Sequence, residues 1–538
     1  MSPGGMIKKE IQGGIEVSLN LAVLLTASAQ KFPNETAIIF DDYKLNYTQL
    51  NELSNRFANG LLSAGIKRGD KVALMMPNVP QFPIAYYGAL KMGAVIVPFN
   101  VLLKVDEIDY ILQDSDANAL VVWEGFLTEA QAAYKRSELC QHLIVVQPNG
   151  SKQSLPDEAG VHSFGEIIKG DSHFNLVPTM PDDTAVILYT SGTTGRPKGA
   201  ELTNFNMFFN AKYAGDTLMP SFPGDVVLAV LPLFHVFGQS SVMNAFIGRG
   251  AAMSLVARFD PVKAFQVIER DKVTYFEGVP TMFFALLHTP DRKKYDTSSL
   301  KLAVSGGSAM PVEVMLEFER EFGIPVLEGY GLSETSPTAS FNVKERPRKP
   351  GSIGIPVWGV EMMVVDDNDQ EVEQGQPGEI VVRGHNVMKG YYKKPQATAD
   401  AMRNEWFHTG DIATVDEEGY FFIVDRKKDM VVRGGFNVYP REIEEVLYQH
   451  PAVREAAVIG IPDPKMGEEV KAYVSLKPDT EATPTELQQF VKERIAAYKY
   501  PREVEIIADI PKGPTGKLLK RELREMSHVR SQANAVRV

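Results

Sequence analysis

Cysteine is almost absent: Cys140 is the one thiol among 538 residues. A single thiol excludes an intramolecular disulfide and any thiolate-held metal cluster, and it suits a reducing compartment. Cys140 precedes an apolar stretch at 142–146 and is expected to pack there rather than act as a nucleophile. Long apolar runs are missing as well. The uninterrupted run nearest the N-terminus spans only 21–25, and no segment approaches the roughly 20 residues that a membrane-spanning helix needs. Lys8 and Lys9 ahead of residues 19–29 imitate a signal peptide, but Glu10 and Glu16 interrupt the pattern, so an amphipathic first helix is expected. The chain also lacks a surplus of positive charge. With 56 Lys and Arg against 68 Asp and Glu, the net charge of −12 argues against nucleic acid as a partner, because phosphates call for clustered cations. A cytoplasmic protein that takes small molecules as partners is expected, with peripheral membrane contact and a homodimer both compatible with the sequence.

Hydrophobic residues at 44% and charged residues at 23% are ordinary for a globular protein, and the length calls for several domains. The densest chemistry lies at 189–199, YTSGTTGRPKG, where three glycines, five hydroxyl side chains and two cations fall within eleven residues. Glycine lets backbone N–H groups approach an anion, and hydroxyls donate to phosphoryl oxygens. Arg196 and Lys198 supply compensating charge, so the stretch reads as a phosphate cradle. It is not a Walker A loop, which needs Gly before its Lys and Ser or Thr after it, where this chain has Pro197 and Gly199. The apolar run 185–189 reads as a buried strand and 202–214 as a helix, so the cradle is expected to join strand to helix.

Around it the chain alternates. A hairpin from Ala37 (AIIF, DDYK, LNY) leads into a helix with Leu50, Leu53, Phe57, Leu61 and Leu62 on one face, ended by Gly65. Short apolar strands at 72–76, 95–98, 119–123 and 143–146 alternate with helical stretches such as 107–112. The alternation resumes with strands at 226–231, 252–256, 273–276, 302–305 and 325–328, which implies two α/β halves built on parallel, helix-covered sheets. From about Gly351 short β segments with turn signals take over, at 362–365 and 379–383, and imply a β-rich subdomain over about 351–424. After Asp425 a hairpin at 430–438 leads into a helix at 440–448 with Pro440 at its first position. Strands at 456–459 and 470–476 follow. Thr483, Pro484 and Glu486 form a capping box ahead of a helix bearing Leu487, Phe490, Val491 and Ile495. The expected fold class is thus a large N-terminal α/β domain over 1–424, a hinge at 425–428 and a smaller α+β domain over 429–538, loose from Ser531.

The 189–199 loop resembles the signature of the acyl-adenylate-forming enzymes, the superfamily of acyl-CoA synthetases, peptide-synthetase adenylation domains and firefly-type luciferases. Five further blocks follow in that family's order and rough spacing. The resemblance implies that Thr190, Ser191, Gly192, Thr193, Thr194, Gly195 and Lys198 cradle the phosphates of ATP. LPLFHVFG at 231–238 implies that His235 lines the acyl pocket. SGGSAMP at 305–311 brings Gly306, Gly307 and Ser308 to the nucleotide. EGYGLSET at 328–335 implies adenine against Tyr330 and the glycines, Gly329 and Gly331 included, adds Glu328 and Ser333 to the nucleotide-binding residues, and gives Mg²⁺ to Glu334 and Thr190. An aromatic face suits a purine, and a carboxylate suits a hard cation between phosphates.

In FHTGD the resemblance makes Asp411 the acceptor of both ribose hydroxyls. Ile423 and Arg426 join the nucleotide contacts, and Lys428 takes the hinge position. Lys517, within PKGPTGKLLKREL at 511–523, matches the family's catalytic lysine, although Gly513 stands where relatives often carry Thr. Lys512, Lys520, Arg521 and Arg524 nearby read as an ordinary basic surface. Gly434 and Gly435 belong to a loop the family uses for the pantetheine of coenzyme A. The implied activity is ATP-dependent ligation of a fatty acid, most like the bacterial long-chain enzymes, to coenzyme A through acyl-AMP. Another carboxylic acid, medium-chain or aryl such as a hydroxycinnamate, or loading of a carrier protein are the alternatives.

Overall fold

The computed structural model describes residues 18–148, 151, 155, 158–190, 196–344, 346–513 and 516–535, with side chains described through 529. Lys8, Lys9, Glu10 and Glu16 lie outside the described residues, as do Ser191, Gly192, Thr193, Thr194 and Gly195.

The two α/β halves take the form of an eight-stranded and a nine-stranded sheet. The first runs in the order Gly390–Tyr391, Lys198–Thr203, Thr184–Thr190, Val95–Pro98, Lys71–Met75, Ala117–Trp123, His142–Val146 and Val161–Ser163, parallel through its centre. Central strands such as Val95–Pro98 and Leu302–Ser305 are buried at every position, which follows from sheets covered by helices on both faces. The second sheet is parallel from Val326–Gly331 through Thr36–Phe40. It is closed at one end by the antiparallel strands Thr338–Phe341 and Ile355–Pro356, and at the other by Tyr43–Asn46. Its membership departs from chain order, because the N-terminal hairpin Thr36–Asn46 pairs Ile38 with Met253 of Ala252–Leu255.

Helix Tyr47–Ser63 starts at a reciprocal cap, Asn46 Oδ1 accepting from Gln49 N at 2.8 Å and Gln49 Oε1 from Asn46 N at 2.9 Å. Leu50, Phe57 and Leu61 are buried, but Leu62, expected on the same face, is 46% exposed. Adjacent helical residues point about 100° apart, so Leu61 and Leu62 do not share a face.

A third sheet, antiparallel, contains Val360–Val365, Gly378–Gly384, Met402–Arg403, Trp406–Val415 and Phe421–Arg426. The fourth contains Val431–Arg433, Phe436–Val438, Val453–Asp463, Gly467–Leu476 and Glu503–Ile506, under helices Pro440–Tyr448 and Pro484–Lys492. It has its own core of Val431, Val438, Ile443, Leu447, Val458, Leu487 and Val491. Thr483 Oγ1 accepts from Glu486 N at 3.1 Å, as the capping box required. The C-terminal segment expected to be loose from Ser531 instead continues helix Lys520–Ala535. No helix among the described residues is long and apolar enough to cross a membrane.

Cys140 is buried and free, and burial pushes its thiol up to about 12. A thiol held neutral is a poor nucleophile, in keeping with a packing role.

Candidate active site

The phosphate cradle is flanked by two strands, not by strand and helix. Thr184–Thr190 pairs antiparallel with Lys198–Thr203, and Thr190 stands opposite Lys198. The helix expected from 202 begins at Asn204, because Thr203 caps it by accepting from Asn206 N at 3.1 Å. The ends of the loop are tied to helix Val105–Asp114. The Tyr189 hydroxyl donates to Asp114 Oδ2 at 3.0 Å, and Tyr110 donates to the Pro197 carbonyl at 2.8 Å. The Arg196 guanidinium lies 5.3 Å from the Tyr110 ring centroid.

These residues open onto a cavity of about 1180 Å³ that gathers groups from across the sequence. Thr190 and Lys198 share it with Gly306, Gly307, Gly329, Tyr330, Gly331, Ser333 and Glu334, with Asp411, Arg426 and Lys428, and with His235 and Lys517. Glu334 lies in the single turn Ser333–Thr335. Its Oε1 accepts from Thr190 Oγ1 at 3.2 Å and from the Tyr391 hydroxyl at 2.9 Å. Its Oε2 makes no hydrogen bond among the described residues. The Lys198 ammonium sits 5.1 Å from the centroid of the same Tyr391 ring. Tyr391 gets there because Gly390–Tyr391 pairs with the strand that leaves the cradle.

Asp411 is buried, yet both of its oxygens have partners: Tyr330 donates to Oδ2 at 2.7 Å, and Arg426 Nε lies 3.3 Å from Oδ1. Two strands meet here. Asp411 is paired in register with Arg426 across Trp406–Val415 and Phe421–Arg426, and Tyr330 arrives on Val326–Gly331. Gly307 has φ of +77°, a conformation that favours glycine. Gly331 is required by space: a Cβ there would stand 1.9 Å from the Pro337 carbonyl oxygen.

Several expected residues do not line the cavity. Glu328 is buried with Oε1 accepting from Met310 N at 2.9 Å, and burial pushes its carboxyl up to about 7. Its side chain is turned to the backbone of Met310 and away from the cavity, which the neighbouring Gly329, Tyr330 and Gly331 do line. Ser308 and Ile423 are also outside the lining, and the Ile423 carbonyl accepts from Arg441 Nη1 at 2.7 Å. Gly434 and Gly435, with φ of +59° and +84°, form the turn between Val431–Arg433 and Phe436–Val438, away from the cavity in this conformation.

Lys517 reaches the cavity because the small C-terminal unit docks beside it. Thr281 Oγ1 donates to the Gly516 carbonyl at 3.0 Å, and Arg441 N donates to Asp425 Oδ2 at 3.0 Å. Burial, with the charges of Arg426 and Lys428, pushes the Lys517 ammonium down to about 8, so it is mostly protonated at pH 7. Burial and the Lys517 charge push His235 down to about 4, so its imidazole is neutral. The basic surface expected around Lys517 is largely a set of ion pairs. Lys512 meets Glu455 at 2.7 Å, Lys520 meets Glu444 at 2.9 Å and Arg524 meets Asp429 at 2.7 Å, while the exposed Arg521 pairs with Glu525 one turn on at 3.2 Å.

Tyr110, Asp114 and Tyr391 are the site residues that sequence reasoning missed. KGYYKKP at 389–395 carried the signal for Tyr391, but the strand pairing that delivers it joins positions nearly 200 apart. The arrangement suits two anions brought together: cations converge on one cavity whose lining also includes apolar side chains such as Leu231, Phe237 and Val304. Among the described residues no cluster of three or more His, Cys, Asp or Glu could hold a metal by itself. A carboxylate beside a hydroxyl, as Glu334 and Thr190 provide, fits Mg²⁺, which takes its remaining ligands from phosphates and water.

Residues 25–392 match the family described as AMP-binding enzyme, and residues 442–517 match the AMP-binding enzyme C-terminal domain. A long-chain-fatty-acid–CoA ligase of Bacillus subtilis (strain 168) is 39% identical over 94% of each chain. A feruloyl-CoA synthase of Amycolatopsis sp. is 36% identical over 92% of this chain and 96% of its own. Among solved structures, an anthranilate CoA ligase in complex with anthranoyl-AMP superposes with a TM-score of 0.88 at 29% identity, over 95% of this chain and 98% of that one. Motifs, fold and likeness along nearly the whole length agree: the chain belongs to the AMP-binding enzyme family.

Proposed function

We propose that this protein is an ATP-dependent fatty-acyl-CoA ligase that acts on long-chain acids. The observation that carries the reading is the convergence of Lys198, Glu334, Asp411, Arg426 and Lys517 on one cavity that apolar side chains also line. In the first step an oxygen of the substrate carboxylate bonds to the α-phosphorus of ATP, and the bond to pyrophosphate breaks. Both reactants are anions, so the protein's task is alignment and positive charge more than covalent chemistry. Lys517 and Lys198 flank the reacting groups, Tyr330 and the adjoining glycines receive adenine, and Asp411 receives the ribose hydroxyls. Mg²⁺, held by Glu334 and Thr190, would neutralise phosphate charge. In the second step the thiol of coenzyme A bonds to the acyl carbonyl carbon and AMP leaves.

Residues 425–428 serve as the hinge between a large domain over 1–424 and a small one over 429–538. Lys517 faces the cavity while Gly434 and Gly435 lie away from it, and rotation about Lys428 would exchange them. Gly435→Leu tests this, since a Cβ at Gly435 meets no atom within 4 Å in the present conformation. Pyrophosphate exchange is expected to continue and thioester formation to stop. Equal loss of both would mean that the positive φ at Gly435, strained for leucine, had disrupted the small domain instead.

Long-chain preference draws on the Bacillus subtilis relative. The feruloyl-CoA synthase relative favours a second reading, an aryl acid. Each buried methylene is worth about 0.8 kcal/mol of transfer free energy, so an acyl tunnel separates hexadecanoate from butanoate by several orders of magnitude. AMP release measured over a panel of acids with ATP and coenzyme A is expected to rank hexadecanoate far above butanoate. Acetate or 4-coumarate exceeding every fatty acid in kcat/KM would replace the long-chain reading.

A further inference from the structure

The segment 388–392 binds the site from two sides through its backbone. Lys389 N and Tyr392 N donate to the carbonyls of Glu201 and Gly199 at 2.9 and 2.8 Å, on the strand that leaves the phosphate cradle. Met388 N donates to the Glu334 carbonyl at 2.8 Å. Tyr391, between them, has its own N–H held by Thr398 Oγ1 at 2.9 Å. One short segment thus fixes the exit strand of the cradle against the turn that carries the carboxylate.

The Tyr391 side chain makes the same link a second time, between the charged groups themselves. Its hydroxyl donates to Glu334 Oε1 at 2.9 Å, and its ring centroid lies 5.1 Å from the Lys198 ammonium. One side chain therefore holds an anion by its edge and a cation by its ring. Both of those groups end flexible stems, and both face a cavity that is to receive a triphosphate. A carboxylate left to itself would be repelled by that triphosphate before a metal ion could bridge them. Tyrosine has only two side-chain torsions, and here its backbone is pinned, so it is a rigid hold. Its chemistry matters as well as its rigidity. A lysine or arginine in its place would grip Glu334 more strongly, but it would cancel the charge that Mg²⁺ needs, whereas a phenol orients the carboxylate and leaves its charge in place.

We propose that Tyr391 is the positioning residue for metal-dependent nucleotide binding, its hydroxyl aiming Glu334 at Mg²⁺ and its ring keeping Lys198 at the phosphates. This rests on the ligase reading and adds to its machinery a residue that touches neither metal nor nucleotide chemistry directly. The two tasks sit on different parts of one side chain, so they can be removed separately.

The test is ATP binding to the full chain by titration calorimetry, once with Mg²⁺ and once with EDTA. The ratio of the two dissociation constants measures what the metal adds. Tyr391→Phe keeps the ring and loses the hydroxyl, so the ratio should fall about tenfold, the usual effect of removing a partner that orients a metal ligand, while the value in EDTA stays at the parent level. Tyr391→Leu loses the ring too and should also weaken binding in EDTA about two- to fivefold. On a Glu334→Gln background, Tyr391→Phe should lower the ratio no further, because a residue that acts through Glu334 then has nothing left to orient. A dissociation constant does not depend on the fraction of protein that is folded, so modest destabilisation of a variant leaves the comparison intact. An unchanged ratio in Tyr391→Phe overturns the inference and leaves the ligase reading standing, as does a fall of the same size on the Glu334→Gln background. Parental affinity in EDTA for Tyr391→Leu overturns the role given to the ring. No ATP binding by the unaltered protein in either condition overturns the ligase reading and the inference together.

Discussion

Lys517→Ala is expected to lower acyl-AMP formation by at least about 10²–10³-fold, the usual effect of removing a preorganised donor aimed at developing charge. Lys517 is half-buried at the cavity, and desolvation together with the like charges of Arg426 and Lys428 holds its ammonium down at about 8. Such crowding of cations is unfavourable until anions arrive. The substrate carboxylate and the α-phosphate relieve it, and the ammonium in turn offsets the repulsion between them. Its benefit exists only while those two anions are forced together, which is the condition for a catalytic rather than a binding effect. Conversion of supplied acyl-AMP and coenzyme A to acyl-CoA should survive, since rotation of the small domain would carry the lysine away. Pyrophosphate exchange near the parent rate would remove Lys517 from the mechanism, and collapse of both half-reactions would indicate misfolding.

Gly331→Ala is expected to cost about 10²-fold or more in kcat/KM for AMP formation without unfolding the protein. The added methyl would stand 1.9 Å from the Pro337 carbonyl oxygen and 3.2 Å from Thr338 Cα. Both neighbours are backbone, so no side chain can swing aside, and either the end of Val326–Gly331 or the turn at Pro337 must shift. Between those two points the chain carries Glu334, and immediately before Gly331 comes Tyr330, the partner of Asp411. A displacement of about 1 Å at such a site is enough for a loss of this size. Circular dichroism and the thermal midpoint would report a folded, modestly destabilised variant. Unchanged turnover would mean that this backbone does not set the position of Tyr330 and Glu334.

Elements with strong local signals were legible in the sequence. Leu302–Ser305 and Val95–Pro98 are short apolar runs that no helix pattern competes with, and Pro440–Tyr448 begins at a proline that only a first turn accepts. Lys198–Thr203 was not legible as a strand, because its opening lysine and glycine read as loop and its partner lies across the cradle. Glu328 shows a second limit. Its block was recognisable, but whether a carboxylate on a strand faces the ligand or the backbone of Met310 depends on a register that spacing does not reveal. Tyr110 and Asp114 lie more than 70 positions before the loop whose ends they hold, on a helix that reads as ordinary amphipathic cover.

The placement of the N-terminal hairpin bears on how the chain is made as well as on what it does. Thr36–Phe40 leaves the ribosome early, but its parallel neighbour Ala252–Leu255 follows only about 215 positions later. At about 5–20 residues per second, that is a wait of roughly 10–40 s during translation. Throughout it, Ile38 and Ile39 have no sheet to bury them, and one edge of the strand is unpaired. The second sheet therefore cannot close domain by domain from the N-terminus. The hairpin cannot join the second sheet until Ala252–Leu255 has been made, whereas Tyr275–Gly278 and the strands after it can add later, so synthesis rate and chaperone supply become determinants of yield.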